Sequence, residues 1–383
     1  MPDAELAETP PDCLEAGLTW SLEQSRFKAA QALYARAHRL QMAVAVPKGY
    51  AQRLAALGRA PEAVALLTQW AEYRDKTAAD WAKQVLALQT MRFDDAAQAL
   101  CRQARARFPK NDALALSEVV VSFRLGDPGP ARDLLAALSA RRDAPYWIHA
   151  MLRALQSGEI DAMGLSLRVP PDLVSPRILI SLARGLYEVH ERNSLLADLR
   201  PGDRVLELGT GLGAMACWAG QTQRDVPFVT IEANPALAPL IAENFRRNAC
   251  KARAISGVAA LRDGESAFHI EGDFWASSQV TTSDTATRRT LPNVNIPALM
   301  QDFAPTIMVV DIEGAEVDLI PELPLQSLRR LIIEMHPQFT PLTGCAKVWR
   351  RLLEAGFYPQ QAKGSEKVVI WDRIQTSETG PET

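Results

Sequence analysis

Residues 204–213, RVLELGTGLG, restrict the possible folds more than any other part of this sequence. The run begins with the apolar residues of a buried parallel strand, and three glycines then lead into a helix-like segment, AMACWAG. A strand that passes through a glycine turn into a helix brings backbone N–H groups close to a bound ligand. We therefore predict an α/β fold with a Rossmann-like sheet in this part of the chain.

A second predicted strand, FVTIE, ends in the acid Glu232. Glu232 follows Gly211 by 21 residues, the spacing at which nucleotide-binding folds place a carboxylate for ribose hydroxyls. The glycine turn and this acid together predict that a ligand containing adenosine binds at the end of the sheet.

The glycines alone leave two cofactors open. GTGLGA also fits the dinucleotide pattern, with Ala214 in the last place, so an NAD-dependent oxidoreductase is one alternative. Glu207, at the end of the first strand, would repel a pyrophosphate but could bind the amino group of S-adenosylmethionine (SAM). One βαβ unit with this pattern is visible, whereas a dehydrogenase typically has two. These two features favour SAM.

Composition excludes several classes of function. The 383 residues suffice for two or three domains. A net charge of -3 provides no basic surface for nucleic acid, and no apolar run reaches the ~20 residues of a transmembrane helix. The five cysteines have no metal-like spacing and no close pairs, as is usual for reduced thiols in a cytoplasm. We expect a cytoplasmic protein that binds neither nucleic acid nor membranes.

The first part of the chain is rich in alanine and leucine and carries an internal repeat. The sequence AQAL begins at Ala30 and again at Ala97, 67 residues later, which is two periods of the ~34 residues typical of stacked helical hairpins. This part resembles a tetratricopeptide-type array, whose groove could bind a partner protein, a carrier-bound substrate or a second copy of the chain. Four aromatic residues either line that groove or fill gaps between helices: Trp70, Tyr73, Trp81 and Trp147.

We divide the chain into a disordered N-terminus at 1–13, a helical repeat domain at 14–164, an α/β domain at 165–374 and a disordered tail at 375–383. The α/β domain alternates between strand and helix patterns, as a doubly wound parallel sheet does. Residues 177–199 predict one helix before the glycine turn, and its Glu188 could reach the ligand. The polar residues 272–295 predict a lid or a disordered loop.

The predicted strands of this domain end in acids. Ligands of open α/β sheets bind beyond the carboxyl ends of the strands, so these ends should converge. They supply Glu207, Glu232, Gly257, Asp311, Glu313, Glu334 and His336. Carboxylates that lie close together without partners repel one another. We therefore expect a cation among them, either a sulfonium or a divalent metal.

Six segments of the second half form an ordered pattern. They are ELGTGLG at 207–213, IEANP at 231–235, SGVAALRDGESAFHI at 256–270, WASS at 275–278, VVDIEGAEVDLI at 309–320 and IIEMHP at 332–337. In this order they resemble an FkbM-type SAM-dependent methyltransferase over about residues 175–373. The resemblance implies a class I methyltransferase fold and O-methylation of a hydroxyl on a natural product, sugar or peptide. A non-catalytic repeat scaffold with a vestigial SAM domain is the other alternative.

The resemblance also implies roles for individual residues. Those expected to bind SAM are Glu207, Gly209, Thr210, Gly211, Gly213, Glu232, Ala233, Asn234, Gly257 and Asp311. Asp311 is expected nearest the methyl group. His336 is expected to remove the proton of the acceptor hydroxyl, since the ordinary pKa of histidine, ~6.5, suits a base, with Glu334 orienting it or acting itself. Asp311 and Glu313 are candidate ligands for Mg²⁺, and Glu316 either joins them or caps the next helix.

Overall fold

The structure is a computed structural model that describes residues 10–23, 26–40, 48–71, 77–270, 287–337, 340–360 and 367–374. The chain forms two compact units, Met1–Arg142 and Asp143–Thr383. The predicted fold class is confirmed, because a helical region precedes an α/β region. Among the described residues, no helix has the length and apolar character that a membrane span requires.

The described part of the first unit consists of helices. They are α1 Leu14–Glu23, α2 Phe27–Arg39, α3 Lys48–Ala56, α4 Ala60–Ala71, α5 Ala78–Thr90, α6 Asp94–Arg107, α7 Asp112–Arg124 and α8 Pro128–Ser139. From α4 to α8 each helix packs against the next, and α5 also packs against α7. Side-chain caps fix some of the helix starts: Asn111 Oδ1 accepts a hydrogen bond from the backbone N–H of Leu114 at 3.0 Å. The tetratricopeptide-type repeat itself stays a prediction.

Trp81 and Trp147 do not line a groove of the first unit, which was one of the two roles considered for them. Trp81 is 4% exposed and belongs to the core of the first unit together with Leu88, so it fills a gap between helices. Trp147 is half-buried and lies in the second unit. The side chains of Trp70 and Tyr73 lie outside the described residues.

The second unit combines strands and helices. In chain order they are α9 Tyr146–Ser157, β1 Glu159–Ala162, β2 Leu165–Arg168, α10 Pro176–Ala183, α11 Val189–Leu196, β3 Val205–Leu208, α12 Ala214–Thr222, β4 Phe228–Glu232, α13 Ala238–Arg247, β5 Arg253–Ser256, β6 Val258–Ala260, β7 Glu265–Ile270, β8 Thr287–Asn295, α14 Ile296–Phe303, β9 Ile307–Val310, α15 Glu316–Leu319, β10 Arg330–Glu334, α16 Leu342–Glu354, β11 Phe357–Pro359 and β12 Val368–Arg373.

The main sheet has seven strands in the order β11-β12-β10-β9-β3-β4-β5. The five strands from β10 to β5 are parallel, and β12 and β11 form an antiparallel edge, as the sequence predicted for residues 357–360. Counted along the chain, the parallel strands lie in the Rossmann order 3-2-1-4-5. The order reverses between β3 and β9, and a ligand crevice is expected at the carboxyl ends of these two strands.

The division between the units differs from the expected one. The composition changes near residue 165, but the second compact unit begins at Asp143. The reason lies in the hairpin β1–β2, whose backbone bonds to side chains of the α/β region. The N–H of Ser166 donates to Asn248 Oδ1 at 3.0 Å, and that of Arg168 donates to Asn244 Oδ1 at 2.7 Å. At the N-terminus, Pro11–Cys13 form a short 3-10 helix within the segment expected to be disordered. Residues 1–9 and 375–383 lie outside the described part.

Two predicted elements have a different structure. Residues 177–199 form two helices, α10 and α11, because the backbone adopts left-handed angles at Gly185 (φ 72°) and Glu188 (φ 44°). Within the predicted loop 272–295, the part that the structure describes forms strand β8, which pairs with β6 and with β7. The remainder of that loop lies outside the described residues.

Candidate functional site

The carboxyl ends of β3, β4, β9 and β10 lie at one edge of the main sheet. They bring the predicted acids Glu207, Glu232, Asp311 and Glu334 to that edge. A cavity of about 80 Å³ lies there, and its lining includes Gly209, Gly211, Glu232, Ala233, Gly257, Phe268, Asp311 and Glu313. Most of the residues expected to bind the cofactor therefore share one cavity at the point where the strand order reverses.

Glu232 holds the glycine turn against β4. Its carboxylate accepts hydrogen bonds from the backbone N–H groups of Thr210 at 3.2 Å, Gly211 at 3.0 Å and Asn234 at 2.8 Å. Burial raises the pKa of Glu232 to about 7, although these hydrogen bonds oppose the rise. Thr210 and Asn234 lie outside the cavity lining and are buried, so they position Glu232 instead of facing a ligand.

The glycines of the turn are required by protein neighbours. Gly209 has φ 95°, and a Cβ atom there would lie 1.9 Å from the carbonyl oxygen of Asp311. Gly213 has φ 77°, and its Cβ would lie 2.7 Å from the ring of Phe245, outside the cavity. Gly209 thus allows the end of β3 to lie close to the end of β9, where the strand order reverses. Gly213 allows the start of α12 to pack closely on α13.

Glu207 is buried beside β4 and lies outside the cavity lining. It is 2% exposed, and its Oε2 accepts a hydrogen bond from the Thr230 hydroxyl at 2.6 Å. Burial raises the pKa of Glu207 to about 8, and the nearby charge of Glu232 adds to the rise. The structure therefore places Glu207 near the expected site, but separated from the cavity that Glu232 and Asp311 line.

His336 is surrounded by carboxylates. Its Nδ1 lies 2.9 Å from Glu316 Oε1. Its Nε2 lies 3.3 Å from Glu313 Oε2, 3.5 Å from Asp311 Oδ1 and 3.8 Å from Glu334 Oε1. Burial opposes the charged imidazolium, but the hydrogen bond to Glu316 and the charges of Asp311 and Glu313 outweigh it and raise the pKa of His336 to about 9. Both ring nitrogens therefore face acids, an arrangement that favours the doubly protonated imidazolium form.

The acids around His336 resist ionisation. Burial and the charge of Glu334 raise the pKa of Asp311 well above its usual range. Burial raises the pKa of Glu313 to about 7, and this residue has a left-handed backbone with φ 50°. Burial and the charges of Glu207 and Glu191 likewise raise the pKa of Glu188. One histidine thus lies among more carboxylates than it can neutralise.

Glu316 is the site residue that sequence reasoning underestimated. As the first residue of the short helix α15 it was expected to cap that helix or join the acids. Its side chain is 0% exposed, and Oε1 accepts the backbone N–H of Ile312 at 3.2 Å as well as facing His336. The only signal in the sequence was its place at the end of D-x-E-G-x-E.

Comparison with known proteins agrees with the expected family over part of the chain. Residues 217–358, which lie within the second unit, match the model of the methyltransferase FkbM domain. The match begins after the glycine turn and says nothing of the first unit. A search of curated proteins finds no match.

Several solved structures are similar at low sequence identity. Precorrin-6y C5,15-methyltransferase from Geobacter metallireducens is 12% identical, and the alignment covers 52% of this chain and 94% of that one with a TM-score of 0.32. A methyltransferase from Pyrococcus furiosus is 14% identical, with coverage of 59% and 96% and a TM-score of 0.33. TYW2 from M. jannaschii, in complex with AdoMet, is 12% identical, with coverage of 56% and 86% and a TM-score of 0.30. Similarity at this level does not identify a substrate.

Proposed function

We propose that the second unit transfers the methyl group of SAM to a hydroxyl oxygen of an acceptor. The observation that carries this proposal is the excess of buried carboxylates around His336 at the reversal point of the sheet. Such a site favours a cationic ligand, and the sulfonium of SAM is one. The pyrophosphate of NAD would meet the same acids as an anion, so the oxidoreductase alternative is disfavoured.

We place the adenosine end of SAM in the cavity that Glu232 and Gly257 line. A carboxylate offers about four acceptor positions. Backbone N–H groups of the glycine turn and of the residues after β4 use most of those on Glu232, so at most one remains for a ribose hydroxyl. Ala233 and Phe268 supply apolar walls for the adenine ring. The cavity of about 80 Å³ is smaller than the ~300 Å³ at the lower end of ligand pockets, so neighbouring side chains must move when the cofactor binds.

Glu334 is the better placed base for the acceptor hydroxyl. Both ring nitrogens of His336 already face carboxylate oxygens, so neither is open to a substrate proton. Glu334 in contrast lines a second cleft of about 390 Å³, together with Arg184, Glu188, His190 and Lys367, and we place the acceptor in this cleft. The acceptor oxygen attacks the methyl carbon, the carbon–sulfur bond breaks to leave S-adenosylhomocysteine, and the hydroxyl proton passes to Glu334. Positioning supplies much of the rate, as in other displacement reactions.

For the first unit we propose a docking role. Its stacked helices present a surface of the kind that binds a partner protein, a carrier-bound acceptor or a second copy of the chain. Sedimentation of the isolated full chain over a range of concentrations distinguishes self-association from the other two. A sedimentation coefficient and mass of the monomer at every concentration would remove self-association from this proposal.

A methyl-transfer assay tests the proposed reaction. The full chain is incubated with methyl-labelled SAM and a panel of sugars, hydroxylated natural products and serine-containing peptides, and mass spectrometry locates the label. We expect the label on oxygen, and we expect Asp311→Asn to abolish transfer. The matched control is Asp318→Asn, which removes an exposed acid from the adjoining helix α15. Label on nitrogen or carbon, or equal loss in both variants, would refute the assignment, and reduction of NAD by a panel member would favour the oxidoreductase.

A further inference from the structure

We propose that a divalent cation, Mn²⁺ or Mg²⁺, binds between Asp311, Glu313 and the Nε2 atom of His336, with Glu316 holding the imidazole ring in place. Nε2 lies 3.3 Å from Glu313 Oε2 and 3.5 Å from Asp311 Oδ1. In an octahedral site with metal–ligand bonds of 2.0–2.1 Å, neighbouring ligand atoms are about 3 Å apart. Asp311 Oδ1 and Glu313 Oε2 are therefore each already close to the distance from Nε2 that a shared metal requires.

Unpaired buried oxygens point independently to a missing positive charge. Glu316 is wholly buried, and its Oε2 has no hydrogen-bond partner among the described residues. Asp311 Oδ1 is also buried without one within the same part of the chain. Ligand atoms of Asp311, Glu316 and His336 lie within 4.8 Å of one another. Because a buried carboxylate oxygen without a partner is costly, a cation bound to Asp311 Oδ1 would remove the penalty at that atom.

The contact between Glu316 and His336 has the form found behind metal-binding histidines. Glu316 Oε1 lies 2.9 Å from Nδ1 and also accepts the backbone N–H of Ile312 at 3.2 Å, so its position is fixed. A carboxylate on one ring nitrogen sets the tautomer and orients the other nitrogen towards the metal. Here the second nitrogen faces Asp311 and Glu313.

The chemistry of the donors selects the class of metal. Two carboxylates and one imidazole, with no thiolate, suit a hard divalent cation better than the sulfur-rich sites of structural zinc. A hydroxyl bound to such a cation loses its proton more easily. That catalytic role rests on the proposed function, whereas binding of the metal does not.

Titration of the untagged full chain with Mn²⁺, in the absence of SAM, tests the proposal. Free Mn²⁺ is followed by electron paramagnetic resonance. We expect one site per chain, which Glu316→Gln weakens tenfold to a hundredfold, as loss of an orienting partner does. The matched control Asp318→Asn removes an exposed acid two positions along the same helix and should leave the affinity unchanged. Two results would overturn the proposal. One is no binding at ~1 mM Mn²⁺, a concentration at which most protein sites for hard cations are occupied. The other is an equal loss of affinity in both variants.

A second measurement on the unaltered protein covers the case in which Glu316→Gln does not fold. Electron spin-echo spectroscopy of bound Mn²⁺ should show coupling to one imidazole nitrogen, because Nε2 of His336 is a ligand. Bound Mn²⁺ without nitrogen coupling would overturn the assignment of His336. Since neither measurement contains SAM, failure of the metal site and failure of the methyltransferase proposal give different results.

Discussion

Replacement of Gly209 by alanine should be more damaging than its small size suggests. The new Cβ would lie 1.9 Å from the Asp311 carbonyl oxygen, and the backbone has φ 95°. The left-handed backbone costs an L-residue about 1–2 kcal/mol, and overpacking adds about 1–3 kcal/mol. We expect Gly209→Ala to lower the free energy of unfolding by about 2–5 kcal/mol, with a loss of SAM affinity because Asp311 must move.

Gly202→Ala separates the two contributions. Gly202 has φ 89°, but its Cβ would meet no atom within 4 Å, so this variant carries the backbone cost alone. Calorimetry should give Gly209→Ala a lower melting temperature than Gly202→Ala. The difference should be about 2–4 °C for each kcal/mol that the contact between the new Cβ and Asp311 costs. Equal melting temperatures would refute the reasoning, because the contact with Asp311 would then be relieved without cost.

Three further predictions concern buried charges. Since the pKa of Glu207 is raised from its unfolded value of 4.5 to about 8, the folded state keeps a proton that the unfolded state releases between these values, and stability falls as pH rises through that window. Glu207→Gln should therefore be more stable than the parent by up to about 3 kcal/mol at pH 7 and by little at pH 4.5, and a difference in melting temperature that does not vary with pH would contradict this. Glu334→Gln should lower turnover about a hundredfold or more while SAM affinity measured by calorimetry stays unchanged; unaltered turnover would exclude Glu334 as the base. Arg330→Met should lower the free energy of unfolding, measured with denaturant, by about 3–5 kcal/mol. The buried Arg330 pairs with Asp372 at 2.6 Å, and the substitution leaves that acid without this partner. A loss below about 1 kcal/mol would show that the pair contributes little.

The centre of the sheet could be predicted from the sequence because strands β3, β4 and β9 are buried on both faces. Strand β9 is a continuous apolar run, IMVV, followed directly by Asp311. Strands β3 and β4, VLEL and FVTIE, are mostly apolar and carry an acid in the last or the next-to-last position. The strand order then fixes which ends meet, so the edge occupied by Glu232 and Asp311 follows from pattern alone.

Strand β8 and the break between α10 and α11 could not be predicted in the same way. The sequence of β8, TRRTLPNVN, is polar and contains a proline, and it forms a strand because it pairs with β6 and β7. The break occurs at Gly185 and Glu188, and a single glycine in a helical pattern does not by itself end a helix.

The contacts of the site depend on residues that are distant in sequence. Glu316 and His336 are 20 positions apart and meet because α15 and the end of β10 lie side by side. Glu207 was expected to face the cofactor, but its orientation follows from the hydrogen bond to Thr230 on the neighbouring strand. Sequence patterns identify the edge of a sheet, whereas tertiary contacts decide which side chain faces the cavity.

Isothermal titration of the full chain with SAM, S-adenosylhomocysteine and NAD, with and without Mg²⁺, tests the central claim most directly. We expect SAM and S-adenosylhomocysteine to bind and NAD not to bind. Glu232→Ala should weaken binding of the first two by at least about tenfold, since a charge-assisted hydrogen bond to the ribose is lost, while the exposed Glu354→Ala should not change it. Binding of NAD in place of SAM, or SAM binding that Glu232→Ala leaves intact in a folded protein, would contradict the account.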